Sequence, residues 1–365
     1  MVVGVDARAA AEVPAGRGRF VRELLRALAQ RDDAHRYLLY CREPWEEGAL
    51  DERFVWRPID RPDPVWHLAA AVRANRACDT FLSTNSYLTA WATRIPTAVV
   101  VYDLIAFLPE MRPQARAARI ERATIGPALR RASELLCISE ATEADLAARF
   151  PAARGKTAVI PLAADARFSA AHSEAELRDA AARHGVAPGG YVLAAGTLEP
   201  RKNLIRLIRA HSRLPRDVRE AHPLLVVGPR GWEEEQILTA TGEQAATVRL
   251  AGYVSDDDLT RLYAGCTVFA YPSLYEGFGL PVLEAMAAGA PVITSRTSSL
   301  PEVAGDAAFY VDPHDEDALC AALEALLGSA EERARLAAAG RERARLFTWD
   351  DCAAKTVASL ERIAR

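Results

Sequence analysis

Two glutamates, Glu276 and Glu284, stand eight residues apart on either side of Gly277-Phe278-Gly279. Each ionised carboxylate can accept hydrogen bonds from two hydroxyls, so a pair of them suits a polyhydroxylated ligand. The preceding run, Val268-Phe269-Ala270-Tyr271, is apolar and β-prone, and predicts a buried strand. Beyond the turn, Pro281 suits the first position of a helix whose apolar face is Val282, Leu283, Met286 and Ala287. Glu276 is thus expected at the carboxyl end of a strand, where open α/β sheets place their ligands. The competing reading is an acid that complements the helix dipole or closes a capping box. With Leu280 at the cap position the box has no side-chain oxygen, which favours a ligand role for both acids.

A second loop, Gly196-Thr197-Leu198-Glu199-Pro200-Arg201-Lys202-Asn203, follows the apolar run 191–195. Asn203 is a suitable N-cap for the helix bearing Leu204, Ile205, Leu207 and Ile208. Arg201 and Lys202 then stand at the positive end of a helix dipole, which disfavours cations by roughly 0.3–1 kcal/mol each. A bound anion would reverse that penalty. The chain has only three lysines, at 156, 202 and 355, among 45 basic residues. A lysine beside an arginine here places a compact charge next to a forked one. A third loop, Gly16-Arg17-Gly18-Arg19-Phe20, opens a helix after the first strand, and its glycines allow backbone to approach a phosphate. The dinucleotide spacing GxGxxG is absent, which disfavours a nicotinamide-dependent oxidoreductase.

The elements that must position these loops alternate strand-like and helix-like along all 365 residues, the pattern of parallel α/β sheets, and the length implies two domains. Six strands are expected in the first half, near 2–5, 37–40, 80–83, 97–101, 134–138 and 158–160. Six more are expected near 191–195, 224–227, 248–251, 268–271, 291–294 and 308–311. The stretch 161–173 interrupts the alternation and marks a boundary. The expected division is an N-terminal domain 1–168, a C-terminal domain 169–346, and a terminal helix 347–365 that packs back on the first domain.

The first 165 residues carry 23 Lys+Arg against 21 Asp+Glu and the whole chain has net charge −4, a balance unlike that of nucleic-acid-binding proteins. From Arg112 to Arg131 six arginines accompany one acid, Glu121. This reads as a solvated helix face, with a surface for anionic lipid or an anionic acceptor as the alternative. No run has the length of a membrane span, the start lacks signal-peptide features, and six scattered cysteines form no CxxC pair. These features predict a cytoplasmic protein with buried thiols, at most peripheral at the inner membrane face. Asp256-Asp257-Asp258 after Ser255 reads as a capped helix start and not as a metal site.

Taken together, these loops resemble the retaining glycosyltransferases of family 4. Glu276 through Glu284 matches that family's E-x7-E motif. Supporting matches are Gly196–Asn203, Gly252-Tyr253-Val254-Ser255, Cys137-Ile138-Ser139-Glu140 and Ser299-Leu300-Pro301-Glu302-Val303. The resemblance covers nearly the whole chain and is nearest the branch containing O-antigen mannosyltransferases. It implies the GT-B fold, two Rossmann-like domains with parallel sheets facing across a cleft. It also implies transfer of a hexose or deoxyhexose from a nucleotide-diphosphate sugar donor, GDP-mannose foremost, with no metal or other cofactor. The acceptor would be a hydroxyl of a glycan, a lipid-linked sugar or a small molecule. By the same resemblance Arg201 and Lys202 hold the diphosphate and stabilise the departing charge. Glu276 binds donor-sugar hydroxyls beside Thr197 and the backbone of Gly277, Phe278, Gly279 and Leu280, and Glu284 binds the ribose. Tyr253 and Val254 lie along the base, and Gly16 and Gly18 approach the phosphates. Acceptors rest on the N-terminal domain, where Trp66, Asn85, Tyr87 and the Arg112–Arg131 region are candidates.

One departure is plain. Family members carry His-Asp where this chain has Tyr102-Asp103. A phenol with pKa near 10 is no proton acceptor at neutral pH. In a front-face retaining mechanism the leaving phosphate takes that proton, so Tyr102 would act by position while Asp103 orients the loop. A catalytically degenerate nucleotide-sugar binder and a GT-B sugar phosphorylase are the alternatives.

Overall fold

A computed structural model describes residues 1–13, 16–46, 50–232 and 235–365. The chain forms two compact units, one comprising Met1–Pro109, Pro113–Leu162 and Thr348–Arg365, the other Glu110–Arg112 and Ala163–Phe347. Each is built on one parallel sheet.

The first unit's strands are β1 (Val2–Asp6), β2 (Arg36–Cys41), β3 (Phe54–Pro58), β4 (Thr80–Ser83), β5 (Thr97–Val101), β6 (Glu134–Cys137) and β7 (Thr157–Val159). They lie in the order β3-β2-β1-β4-β5-β6-β7. The strand β3 was not expected from sequence. It is a half-exposed edge strand that ends in Pro58, so it lacks the continuous apolar run that marks strands buried on both faces. Its register on β2 stacks Phe54 on Tyr37, ring centroids 4.7 Å apart.

The second unit's strands are β8 (Val192–Ala195), β9 (Leu224–Val227), β10 (Val248–Gly252), β11 (Val268–Tyr271), β12 (Val292–Ser295) and β13 (Phe309–Val311), in the order β10-β9-β8-β11-β12-β13. In both sheets the order reverses once, between β1 and β4 and between β8 and β11. At such a switch point the two neighbouring loops leave the sheet in opposite directions and open a crevice at the strands' carboxyl ends. The predicted loops 196–203 and 272–279 follow β8 and β11, so they flank that crevice.

The terminal helix Trp349–Ala364 starts at Thr348, whose hydroxyl accepts from Asp351 N at 3.1 Å. It packs on the helix Arg17–Gln30 and on β4, β5 and β6 within the first unit, burying Cys352, Val357 and Leu360. Trp349 meets Phe20 at 6.2 Å between ring centroids. Of the six cysteines five are buried, whereas Cys78 is partly exposed in the turn between the helix Val65–Ala77 and β4. Leu360→Ala is expected to destabilise the protein by about 2–5 kcal/mol in urea unfolding, the cost of a cavity under a fully buried leucine. An unchanged midpoint would mean that the helix does not contribute to the core.

Candidate active site

Glu276 is 6% exposed at the end of β11 and is surrounded by donors. Its Oε1 accepts from Lys202 Nζ at 2.7 Å, Tyr271 hydroxyl at 2.7 Å and Ser273 hydroxyl at 2.6 Å. Its Oε2 accepts from Arg201 at 2.5 Å, and Arg201 also pairs with buried Glu199 at 2.6 Å. Burial alone would raise the Glu276 pKa, but the Arg201 and Lys202 charges outweigh it and hold the carboxyl down at about 2. Burial and the neighbouring guanidinium pull the Lys202 ammonium below the usual lysine range, opposed by Glu276.

This arrangement revises the sequence expectation in two respects. Arg201 and Lys202 do not form a bare cationic patch, since Glu199 and Glu276 balance them. Glu276 cannot take two further hydroxyls, because three donors already fill Oε1 and only Oε2 retains acceptor capacity. Lys202 gives two of its three N–H donors to Tyr271 and Glu276, and the third is uncommitted among the described residues.

The loops are tied to one another by buried polar groups. Asn203 does not cap through its side chain; it is left-handed, with φ 60°, a conformation Asn tolerates better than most residues. Its Nδ2 instead donates to Pro272 O at 3.0 Å and Pro313 O at 2.7 Å, joining the ends of β8, β11 and β13. Arg201 O accepts from Leu274 N at 2.8 Å and lies 2.9 Å from the Ser273 hydroxyl, whose single proton goes to the nearer Glu276 Oε1. Ser298, also left-handed at φ 46°, accepts from Glu276 N at 2.8 Å, and the single hydroxyl proton of Ser299 is shared between the carbonyls of Glu276 and Phe278. Backbone strain of this kind persists where surrounding contacts over-determine it, and it clusters at functional sites.

The helix after the turn is Leu280–Ala288, capped by Gly279 at φ 106°, so Pro281 is its second residue and Leu280 its first. Phe278 turns inward against Phe347, centroids 5.8 Å apart, leaving only its backbone near the turn. Glu284 is buried in the second turn of this helix, and the Tyr263 hydroxyl donates to it at 3.4 Å. Thr197 is half-buried in the loop after β8. Beside it, a Cβ on Gly228 would lie 2.0 Å from Gly196 O, so backbone approach there demands glycine. Tyr253, 68% exposed, and buried Val254 follow β10, two strands from β8. Glu199, Tyr271, Ser273, Ser298 and Gly228 were not singled out from the sequence. For Glu199 a signal existed, an acid inside the cationic loop.

In the first unit, Gly16 has φ 54° and opens the helix Arg17–Gln30. Gly18 lies inside that helix, where a Cβ would come within 1.7 Å of Val13 O, so it has a packing reason independent of any ligand. The Tyr102 hydroxyl donates to Thr84 O at 2.7 Å, and burial raises its pKa, so it stays protonated. Asp103 Oδ1 accepts from Ile105 N at 3.0 Å and shapes the following turn. Trp66, a candidate acceptor contact from sequence, is fully buried and donates to Cys41 O, because it fills the core beneath β1 and β2. The triple aspartate is a helix start, with the Ser255 hydroxyl accepting from Asp258 N.

Comparison with known proteins places this geometry. Residues 14–168 match "Glycosyltransferase Family 4" and residues 184–343 match "Glycosyl transferases group 1". O-antigen chain mannosyltransferase B of Escherichia coli is 36% identical over 72% of this chain and 70% of its own length. MMP alpha-(1->4)-mannosyltransferase of Mycolicibacterium hassiacum is 36% identical over 64% of this chain and 55% of its own length. Among solved structures, HepE of Anabaena in complex with UDP and glucose superposes with TM-score 0.79 at 17% identity, covering 99% of both chains. Sucrose-phosphate synthase of Thermosynechococcus elongatus superposes with TM-score 0.77 at 21% identity, covering 99% of this chain and 98% of its own. The fold is therefore that of the GT-B glycosyltransferases, and the chain belongs to glycosyltransferase family 4.

Because the folded state lowers the Glu276 pKa, its ionised form stabilises the protein fully above pH 4.5. That contribution is lost as pH falls from 4.5 towards 2. Urea unfolding between pH 6 and pH 3 should therefore show a steeper acid loss for the wild type than for Glu276→Gln. Parallel profiles would refute the ionised buried carboxylate.

Proposed function

We propose that the protein is a retaining glycosyltransferase that moves a hexose, foremost mannose from GDP-mannose, to an acceptor hydroxyl of a glycan, a lipid-linked sugar or a small molecule. The observation that carries this reading is the Glu276–Arg201–Lys202 cluster at the β8/β11 switch point, beside the N-terminus of helix Leu280–Ala288. The mannosyltransferase relatives support the choice of sugar.

In this reading the uncommitted Lys202 N–H and the Arg201 fork meet the donor diphosphate. The bond from the anomeric carbon to the phosphate oxygen breaks, and both cations stabilise the charge that collects on that oxygen. The acceptor oxygen bonds to the anomeric carbon from the same face, and its proton passes to the departing phosphate. No protein base is needed, which suits a Tyr102 that stays protonated and donates to Thr84. Glu276 Oε2 accepts one sugar hydroxyl, Glu284 serves the ribose, and Tyr253 lies along the base. Gly277, Gly279 and Leu280 offer backbone to the sugar.

Lys202→Ala should cost about 3–4 kcal/mol of transition-state stabilisation, roughly 10²–10³-fold in kcat, by analogy with loss of one oxyanion donor. Steady-state transfer and slow donor hydrolysis, measured across GDP-, UDP- and TDP-sugars, would check both donor and residue. Near wild-type turnover in the variant would overturn the assignment, and nucleotide binding without hydrolysis of any donor would favour a non-catalytic binder.

A membrane-borne acceptor is the second reading, favoured by one surface of the first unit. Val65, Leu68 and Val72 on helix Val65–Ala77, with Trp91 and Ile120 on the next two helices in chain order, are all exposed large apolar residues. Exposed Arg116 and Arg119 stand near Ile120 in sequence, the composition of an interfacial face. No helix among the described residues is long and apolar enough to cross a membrane. Sedimentation with liposomes should show binding to phosphatidylglycerol-containing vesicles that weakens in Trp91→Ser and in Arg116→Glu/Arg119→Glu. Equal recovery with neutral and anionic vesicles would remove the idea.

A further inference from the structure

Strand β11 puts Phe269 and Tyr271 on one face of its sheet, because side chains two apart along a strand point the same way. Their rings stack with centroids 5.7 Å apart, and Phe269 in turn meets Tyr263 edge to face at 5.1 Å. Tyr271 is 3% exposed, so close packing holds its ring and delivers its hydroxyl to one point at the strand end.

At that point the hydroxyl stands between the opposite charges of the site. It has a single proton, which goes to Glu276 Oε1 at 2.7 Å. Burial, reinforced by the Glu276 charge, raises the phenol far above its usual range, so the proton stays on the oxygen. The lone pairs are left to accept, and Lys202 Nζ is the donor that meets them. Lys202 also donates to Glu276 Oε1 at 2.7 Å, so ammonium, phenol and carboxylate close a ring in which every pair is bonded. The ammonium lies over the Tyr271 ring as well, 4.9 Å from its centroid.

Lys202 gains both direction and charge from this. An ammonium with one acceptor can turn about its Cε–Nζ bond, whereas one held by two acceptors cannot. Its third N–H, uncommitted among the described residues, therefore points one way. Burial and then Arg201 oppose the charged amine, while Glu276 and Glu199 favour it. An acceptor on a second N–H adds to the favourable side, since hydrogen bonds from an ionised group are roughly twice as strong as neutral ones. Ser273 supplies the contrast. It donates to the same Glu276 Oε1 at 2.6 Å but has no hydrogen bond to Lys202 among the described residues.

We infer that Tyr271 is a positioning residue, whose hydroxyl aims the third N–H of Lys202 and keeps the ammonium charged. That the aimed N–H meets a departing phosphate rests on the transferase reading; the tether of Lys202 does not.

The chain's three lysines, at 156, 202 and 355, make the tether measurable. NMR of protein carrying lysine isotopically labelled at Nζ gives one ammonium signal for each, and Lys202→Arg assigns the relevant one. In Tyr271→Phe, which keeps the ring, Lys202 should titrate at least about half a pH unit below its wild-type value. In Ser273→Ala, which takes a donor from Glu276 and nothing from Lys202, it should titrate as in the wild type or higher. Kinetics use whichever of the GDP-, UDP- and TDP-sugars the wild type turns over. Tyr271→Phe should lose at least about tenfold in kcat with donor KM within about threefold, the sign of an interaction made in the transition state. The alkaline limb of its kcat profile should move to lower pH with the Lys202 titration, and that of Ser273→Ala should not. An unshifted Lys202 in Tyr271→Phe, or the same downward shift in Ser273→Ala, would overturn the tether. An unchanged kcat beside a shifted Lys202 would overturn the positioning role. A wild type that turns over no nucleotide sugar would sink the transferase reading alone, and the lysine titrations would still decide the tether.

Discussion

A carboxylate removed from water must be compensated, and the second unit is organised around meeting that demand for Glu276. Burying an ion costs several kcal/mol, and leaving it unpaired would cost more than the fold can bear. Arg201, Lys202, Tyr271 and Ser273 supply the compensation from two loops far apart in sequence. Because the two cations lie at the end of β8 and the acid at the end of β11, the pairing holds the two sides of the switch-point crevice in register. Asn203 and Ser298 add backbone ties to the same loops, each in a conformation that only such surroundings would hold.

The same compensation sets what the site can still do. A saturated Oε1 and a half-used Oε2 make Glu276 a directional acceptor for one hydroxyl rather than a general anion or a base. A carboxyl held near pKa 2 does not take protons at neutral pH. Glu199 balances the second cation, so the cluster is close to neutral before any ligand arrives. In the proposed reading a diphosphate would therefore be held by close contacts with Lys202, Arg201 and backbone at the helix start more than by long-range attraction.

Much of the site was legible because it is local. The run Val268–Tyr271 is buried on both faces and reads as a strand in any context, and the glycines around Phe278 mark the turn. The Ser255 cap was legible for the same reason, since a hydroxyl three residues before an amide closes the first turn. The misreadings fell where a residue's partner is distant in sequence. Asn203 has the composition of a cap, yet carbonyls 69 and 110 residues away claim its side chain. Trp66 has the composition of a sugar platform, yet the core beneath β1 claims it. β3 is defined by its pairing with β2 more than by its own sequence.

What the sequence determined by itself was the alternation of strand and helix, the acids around the Gly-Phe-Gly turn and the cationic loop, all properties of short stretches. Periodicity, caps and turn glycines act over a few residues, so they survive without a fold. The tertiary structure alone decided that the acid and the cations meet. It also decided how many hydrogen bonds Glu276 has left, and that one phenol, Tyr271, meets both Glu276 and Lys202. Those outcomes depend on strand order, and strand order is set by packing across the whole sheet.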